Sequence, residues 1–306
     1  MIKFIKLVIF ILPFSFLGQE IVINSYDGHK IHGTISEVQN IKSDLAIIIA
    51  GSGPTDRDGN NTSFKNNSLI MLADQLHENG ISSFRFDKRG VGKSIGEISS
   101  ENQIKFEDYI KDITEIISFF NKEGKYNTIN VIGHSEGALI GIIACQRIKV
   151  TKYVSIAGPA QTILETIKRQ LSAQPDFVKL MSDPIIEKLK NGELVDSVPP
   201  LLMTLFRPSV QRYLVDQSSY RPIDEIIKLK LPVLIVQGDN DIQIEVYDAE
   251  RLNNAAFDSK LNIIEGMNHI MKQSSKDRIL NMQTYSNPDL PLHHDLIASI
   301  VDFIKS

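Results

Sequence analysis

Residues 131–140 read VIGHSEGALI, and the fold is decided here. The stretch closes a β-branched run that starts at Thr128 (TINVIGHS) and opens an apolar segment of helical period (GALIGIIACQRI). Gly133, Ser135 and Gly137 therefore match G-x-S-x-G at a strand-to-helix turn. A serine in so sharp a turn takes a strained backbone, and small residues two positions to either side relieve the crowding and leave Oγ in the open. The following helix directs its positive end at the turn, where the Glu136 N–H is available to a developing anion.

The same alternation extends outward. IVINS (21–25) and KIHGTISEV (30–38) flank Asp27-Gly28 and predict a β-hairpin. DLAIIIAG (44–51) is a continuous apolar run, the mark of a strand covered on both faces. Further strands are expected at ISSFRFD (81–87), KYVSIAG (152–158), PVLIVQGD (232–239) and KLNIIEG (260–266). Helical stretches fall between and after them, at 68–80, 106–124, 137–148, near 246–256 and at 294–305. The expectation is an α/β fold with a doubly wound, mostly parallel sheet. From about Pro159 to Pro222 the strands stop and stretches such as ILETIKRQL (163–171) and PIIEKLKNGEL (184–194) take over. A helical cap over 159–222 is thus predicted between two parts of one core, 19–158 and 223–306.

The segment RFDKRGVGKS (85–94) ends like a phosphate-binding loop. Such a loop needs a glycine five positions before the glycine of Gly-Lys-Ser, and Asp87 stands there, a carboxylate where the phosphate would sit. Nucleotide binding is therefore not expected of this loop. A chain of 306 residues with a net charge of −4 and no basic cluster also lacks a nucleic-acid footprint. The one cysteine, Cys145, lies in an apolar helical segment, so no internal disulfide can form and a thiolate metal site has no second ligand.

Residues 1–18 have the form of a secretory leader: Lys3 and Lys6 precede an apolar run from Leu7 to Leu17, with Gly18 before a candidate cleavage point at Gln19. Phe16 fits that junction poorly, and an uncleaved anchor is the alternative. The expected location is secreted or periplasmic, with no stable membrane insertion once the leader is removed.

A serine hydroxyl is a weak nucleophile near neutral pH. It needs a histidine base and a carboxylate that holds the histidine in the right tautomer, following in the order serine, acid, histidine for this fold. Asp239 and Asp241 stand at the end of PVLIVQGDND, and His269 lies in the loop after LNIIEG. Other candidates carry less. His134, inside the turn, is expected to point away from the base position. His293 and His294 open the final helix as surface residues. Asp239, Asp241 and Glu250 have the first, third and twelfth places of a calcium loop, but Ile244 replaces its glycine.

With these motifs in order, the chain from Ile21 onward resembles the α/β-hydrolase superfamily, and within it the lidded bacterial esterases and serine-aminopeptidase-like hydrolases. The G-x-x-D pattern of those proteins falls on Gly238 and Asp241, which favours Asp241 as the acid, and their glycine-to-histidine loop fits Gly266 to His269. DKRGVGKS resembles their structural D-x-R-G-x-G-x-S turn. The resemblance implies an oxyanion donor from the loop AGSGPTDRDGNN (50–61), where Ala50 replaces the frequent histidine. The Ser52 N–H is the expected donor beside that of Glu136, with Gly53 as the neighbouring choice. The expected activity is cleavage of a small carboxylic ester through an acyl-enzyme by Ser135, His269 and Asp241, without metal or organic cofactor. The cap is expected to cover the pocket and select the substrate. Amide cleavage of a short peptide is the alternative, in which acidic cap residues such as Glu165, Asp183 and Glu187 would bind a free amine. A non-catalytic binding protein on the same fold is the rival of another class. The sequence leaves the oligomeric state open.

Overall fold

The computed structural model describes residues 18–39, 42–98 and 100–306, so nearly all of the expected leader lies outside the described residues. Strands β1 (Gln19–Asn24) and β2 (Lys30–Ser36) form the expected hairpin about Asp27-Gly28. Next come β3 (Asp44–Ile49), α1 (Ser68–Glu78), β4 (Ile81–Phe86), α2 (Phe106–Glu123), β5 (Ile129–His134), α3 (Glu136–Arg147) and β6 (Lys152–Ile156). Helices α4 (Ile163–Ser172), α5 (Asp176–Lys190), α6 (Met203–Phe206), α7 (Pro208–Ser218) and α8 (Pro222–Ile226) separate β6 from β7 (Val233–Gly238). The chain closes with α9 (Val246–Ala255), β8 (Ser259–Ile264), α10 (Arg278–Thr284) and α11 (His294–Lys305).

The eight strands make one sheet in the order β1-β2-β4-β3-β5-β6-β7-β8. Strand β2 is antiparallel to both β1 and β4, and every later pairing is parallel. The alternation of strands and helices is therefore met by the expected doubly wound sheet. Strand β3 shows why its apolar run is unbroken. Leu45, Ile47 and Ile49 face one core cluster, with α2 and α3, while Ala46, Ile48 and Ala50 face the other, with α1 and α11. With successive side chains on opposite faces and both faces covered, apolar residues are favoured at every position from Leu45 onward.

The chain leaves β3 toward β4 on one side and later returns to β5 on the other. The crevice at the carboxyl ends of β3 and β5 is thus the topological switch point, where ligands bind in open α/β sheets. It brings Gly51 and Ser135 together. Helices α4, α5, α6 and α7 and the turn before α6 gather their own apolar cluster, including Leu164, Ile186, Leu202, Phe206 and Leu214. By contrast, Ile226 of α8 belongs to the main core.

The DKRGVGKS turn follows β4 and wraps its own carboxylate. Asp87 accepts from the Arg57 N–H at 2.9 Å, the Lys93 N–H at 3.0 Å and the Arg57 guanidinium at 2.8 Å. A Cβ on Gly92 would come within 2.5 Å of the Asp87 carboxylate, so only glycine permits the approach. Burial alone would raise the Asp87 carboxyl, but these donors hold it below its usual range. The anion in this loop is built in. Asp56 accepts two amides of its own loop and Asp58 meets Arg85, so the residues of 56–58 tie the loop to itself and to β4.

Candidate active site

Ser135 sits between β5 and α3 with φ 55° and ψ −119°, a conformation that L-residues rarely adopt. Its surroundings over-determine it. The Ser135 N–H donates to the Ile156 carbonyl at 2.9 Å, and the Ser135 carbonyl accepts from the Ala138 N–H at 2.9 Å. A Cβ on Gly133 would meet the Gly137 carbonyl oxygen at 2.4 Å, and one on Gly137 would meet the Ile49 carbonyl oxygen at 2.5 Å. Both glycines are therefore required by close packing of backbone on backbone, which no side-chain rotation can relieve. Because the Ser135 amide is committed to β6, the first amide of α3 open to a ligand is that of Glu136.

His269 faces Asp241. Its Nδ1 donates to Asp241 Oδ2 at 2.8 Å, which leaves Nε2 as the basic nitrogen. Asp241 is fully enclosed and further accepts from the Gln243 and Ile244 amides at 2.8 and 3.0 Å and from Gln237 Nε2 at 3.0 Å. Burial pushes its carboxyl up, but the His269 imidazole and these donors hold it below the usual carboxylate range. Asp239 serves elsewhere, accepting from the Gly266 N–H at 2.6 Å. Of the two aspartates that the sequence offers, only Asp241 meets the histidine.

Ser135 and His269 line one cavity of about 240 Å³, together with Ser52. Leu69, Ile270, Met282, Phe64 and Tyr285 supply apolar wall, and Asn61, Asn66 and Gln243 supply polar groups. Phe64 and Tyr285 meet edge to face with ring centroids 6.0 Å apart. Among the described residues, no Asp, Glu, Lys or Arg lines this cavity. The Ser52 N–H has no acceptor among the described residues, and its carbonyl accepts from Thr55 Oγ1 at 2.9 Å.

Three expectations need correction. No residue of 159–222 lines the cavity, so its walls come from the 51–69 segment, from Gln243 and Ile270 in the loops after β7 and β8, and from Met282 and Tyr285 at α10, instead of from the cap. Helix α10 gave no periodic signal because it has only seven residues. Its start was nevertheless marked, since Asp277 accepts from the Ile279 and Leu280 amides as an N-cap. His134 does not turn away from the base. Its ring packs against His269, and its Nε2 meets the His269 carbonyl oxygen at 2.8 Å. His293 is buried and caps α11 by accepting from the Asp295 N–H at 3.3 Å, while His294 is exposed. Of the acidic cap residues, Glu165 closes a capping box with Thr162, and Asp183 and Glu187 pair with Lys168 on the solvent side.

The strand order, the switch point between β3 and β5, and the serine on its strained turn are those of one fold. The chain has the α/β-hydrolase fold. Residues 67–198 of the chain match a family model described as serine aminopeptidase, S33, a span that includes Ser135 and ends before Asp241. Esterase EstD of Thermotoga maritima is 27% identical over 270 residues, covering 85% of this chain and 61% of the relative. The chain thus spans about three-fifths of that relative's length. Among solved structures, Est1E from Butyrivibrio proteoclasticus with bound ferulic acid superposes with a TM-score of 0.62 at 19% identity, over 94% of this chain and 100% of its own. The Pyrococcus furiosus esterase Pf2001 gives 0.63 at 17% identity, over 95% and 91%. At such identities the structural likeness establishes the fold.

Proposed function

We propose that this α/β-hydrolase is a carboxylesterase-like serine hydrolase that cleaves small, uncharged carboxylic esters through an acyl-enzyme. Ser135 Oγ attacks the ester carbonyl carbon while its proton passes to His269 Nε2. Asp241 holds the imidazole and balances the imidazolium, and the Glu136 and Ser52 amides receive the oxyanion. Collapse breaks the bond to the alkoxy oxygen, which leaves as the alcohol with the proton from His269. Water, deprotonated by the same histidine, then frees the acid and restores Ser135. These steps call for no metal or organic cofactor.

The observation that carries this function is the neutral cavity above Ser135 and His269. An aminopeptidase must bind a substrate ammonium, and burying that charge without a carboxylate beside it is costly. The description of the matched family model favours amide cleavage; the absence of acidic residues from the lining favours the ester. An esterase relative and esterase structural neighbours support the same choice. We also propose export by the leader at 1–18, which the mass of the mature N-terminus would test.

The decisive experiment is hydrolysis of p-nitrophenyl esters of rising acyl length by the wild type, Ser135→Ala and His269→Ala. Turnover by the wild type on short acyl chains, silenced in both variants, is expected. Activity retained by Ser135→Ala would overturn the mechanism, and turnover confined to aminoacyl amides would reverse the substrate class.

A further inference from the structure

The three charged residues that open the DKRG turn have separate destinations. Asp87 holds Arg57, and Arg89 bridges Asp27 and Asp112. Lys88 alone goes inward, to the nucleophile's neighbours. Its side chain is 2% exposed, and Nζ donates to the Gly51 carbonyl oxygen at 2.5 Å and to Glu136 Oε2 at 3.3 Å. The Tyr109 ring lies below it, 5.2 Å from Nζ to the centroid.

The Gly51 carbonyl belongs to the same peptide group as the Ser52 N–H. That group is planar and trans, so its oxygen and its N–H point to opposite sides. A cation on the oxygen fixes the plane and draws electron density away from the nitrogen, which makes the N–H a stronger donor. Gly51 abuts the nucleophile: a Cβ placed there would come 3.2 Å from Ser135 Cβ. We propose that Lys88 is a positioning residue for the oxyanion site, acting through the Gly51 carbonyl to fix and polarise the Ser52 amide. The inference rests on the serine-hydrolase mechanism above and adds to it a cation that never touches the substrate.

Glu136 completes the device. Its carboxylate balances the buried ammonium, and its own main-chain amide is the other expected oxyanion donor. One ion pair therefore joins the two donor peptides, one through its carbonyl oxygen and the other through its side chain. From the cap, Tyr213 of α7 donates its O–H to Glu136 Oε1 at 2.8 Å, so the pair is also tied to the cap helices.

The test compares Lys88→Met, which keeps length and removes the ammonium, with Lys88→Met/Glu136→Gln, which also removes the carboxylate left unpaired. Ser135→Ala is measured in parallel. In both Lys88 variants kcat should fall roughly 10- to 100-fold, somewhat less than for outright removal of one oxyanion donor. KM should stay within about twofold, because the ground-state carbonyl makes little use of the donors. Inhibition by a trifluoromethyl ketone of the same acyl group, which forms an oxyanion on the serine, should weaken by the same factor as kcat. An unchanged kcat, a loss carried by KM alone, or failure of both variants to fold would each overturn the inference. Turnover that survives Ser135→Ala would instead overturn the serine mechanism, and with it any oxyanion role for Lys88.

Discussion

His134 and His269 lie ring against ring with centroids 4.9 Å apart, and His134 Nε2 donates to the His269 carbonyl oxygen at 2.8 Å. The residue before the proposed nucleophile thus supports the main chain of the proposed base. It does so as a neutral ring, because burial and the facing His269 push its pKa down to about 4.

Stability should depend on that ring. An unfolded chain protonates His134 below about 6.5, whereas the folded chain resists until about 4. Between those values the unfolded state binds more protons, so stability falls as pH drops, by about 3 kcal/mol across the window. His134→Gln keeps a donor for the His269 carbonyl and cannot titrate. Urea midpoints measured from pH 7 to 4 should decline less steeply in this variant than in the wild type; equal slopes would refute the assignment.

Asp241 should be needed for rate and little for binding. Asp241→Asn leaves the size of the side chain but favours the wrong imidazole tautomer, and kcat should drop roughly 10⁴-fold with KM nearly unchanged. Steady-state kinetics on the preferred p-nitrophenyl ester would show it. Asp239→Asn, whose amide oxygen can still accept from the Gly266 N–H, should remain within about tenfold of the wild type, because Asp239 serves that turn and not the histidine.

Gly137→Ala should damage the fold and the site together. The new methyl would stand 2.5 Å from the Ile49 carbonyl oxygen and 2.7 Å from that of Ala50, both backbone atoms. A cost of about 1–3 kcal/mol is expected, with β3 shifted against α3. The melting temperature and the esterase rate should fall together, and a variant with wild-type values of both would contradict the packing.

The DKRG turn should bind no nucleotide and should be structurally essential. Asp87→Asn leaves the buried Arg57 guanidinium without its countercharge, a loss of about 3–5 kcal/mol for a buried pair. Thermal scans should show that destabilisation, and MgATP should leave the wild-type midpoint where it was. A nucleotide-dependent rise would reinstate the phosphate-loop interpretation.

Substrate size should be set by the 52–69 segment and α10. Phe64→Ala and Met282→Ala enlarge the cavity and should shift preference toward longer acyl chains, each extra methylene accommodated being worth about 0.8 kcal/mol. Lys168→Gln on the solvent side of the cap should leave the chain-length profile unchanged. The p-nitrophenyl series reads both outcomes, and an effect of Lys168→Gln as large as that of Phe64→Ala would return selection to the cap.

What the sequence by itself determined is whatever depends on local pattern. Period-two and period-3.6 spacing set the strands and helices, and two glycines flanking Ser135 at a strand-to-helix junction marked the strained turn, because only glycine fits where Gly133 packs on the start of α3 and Gly137 on the end of β3. Asp87 in the place of a phosphate-loop glycine was likewise decisive from one position. Tertiary structure decided what depends on separations of many residues. His269 is 28 positions from Asp241, and the choice between Asp239 and Asp241 rests on which carboxylate the β7 turn aims at the imidazole. Much of the cavity wall lies on loops and on a seven-residue helix, whose composition carries no periodic signal, and Lys88 reaches Gly51 across 37 positions. Period and propensity record how a residue relates to its neighbours in the chain. Which side chains converge on one cavity is set by how the strands are ordered in the sheet, and that order is a property of the packed whole.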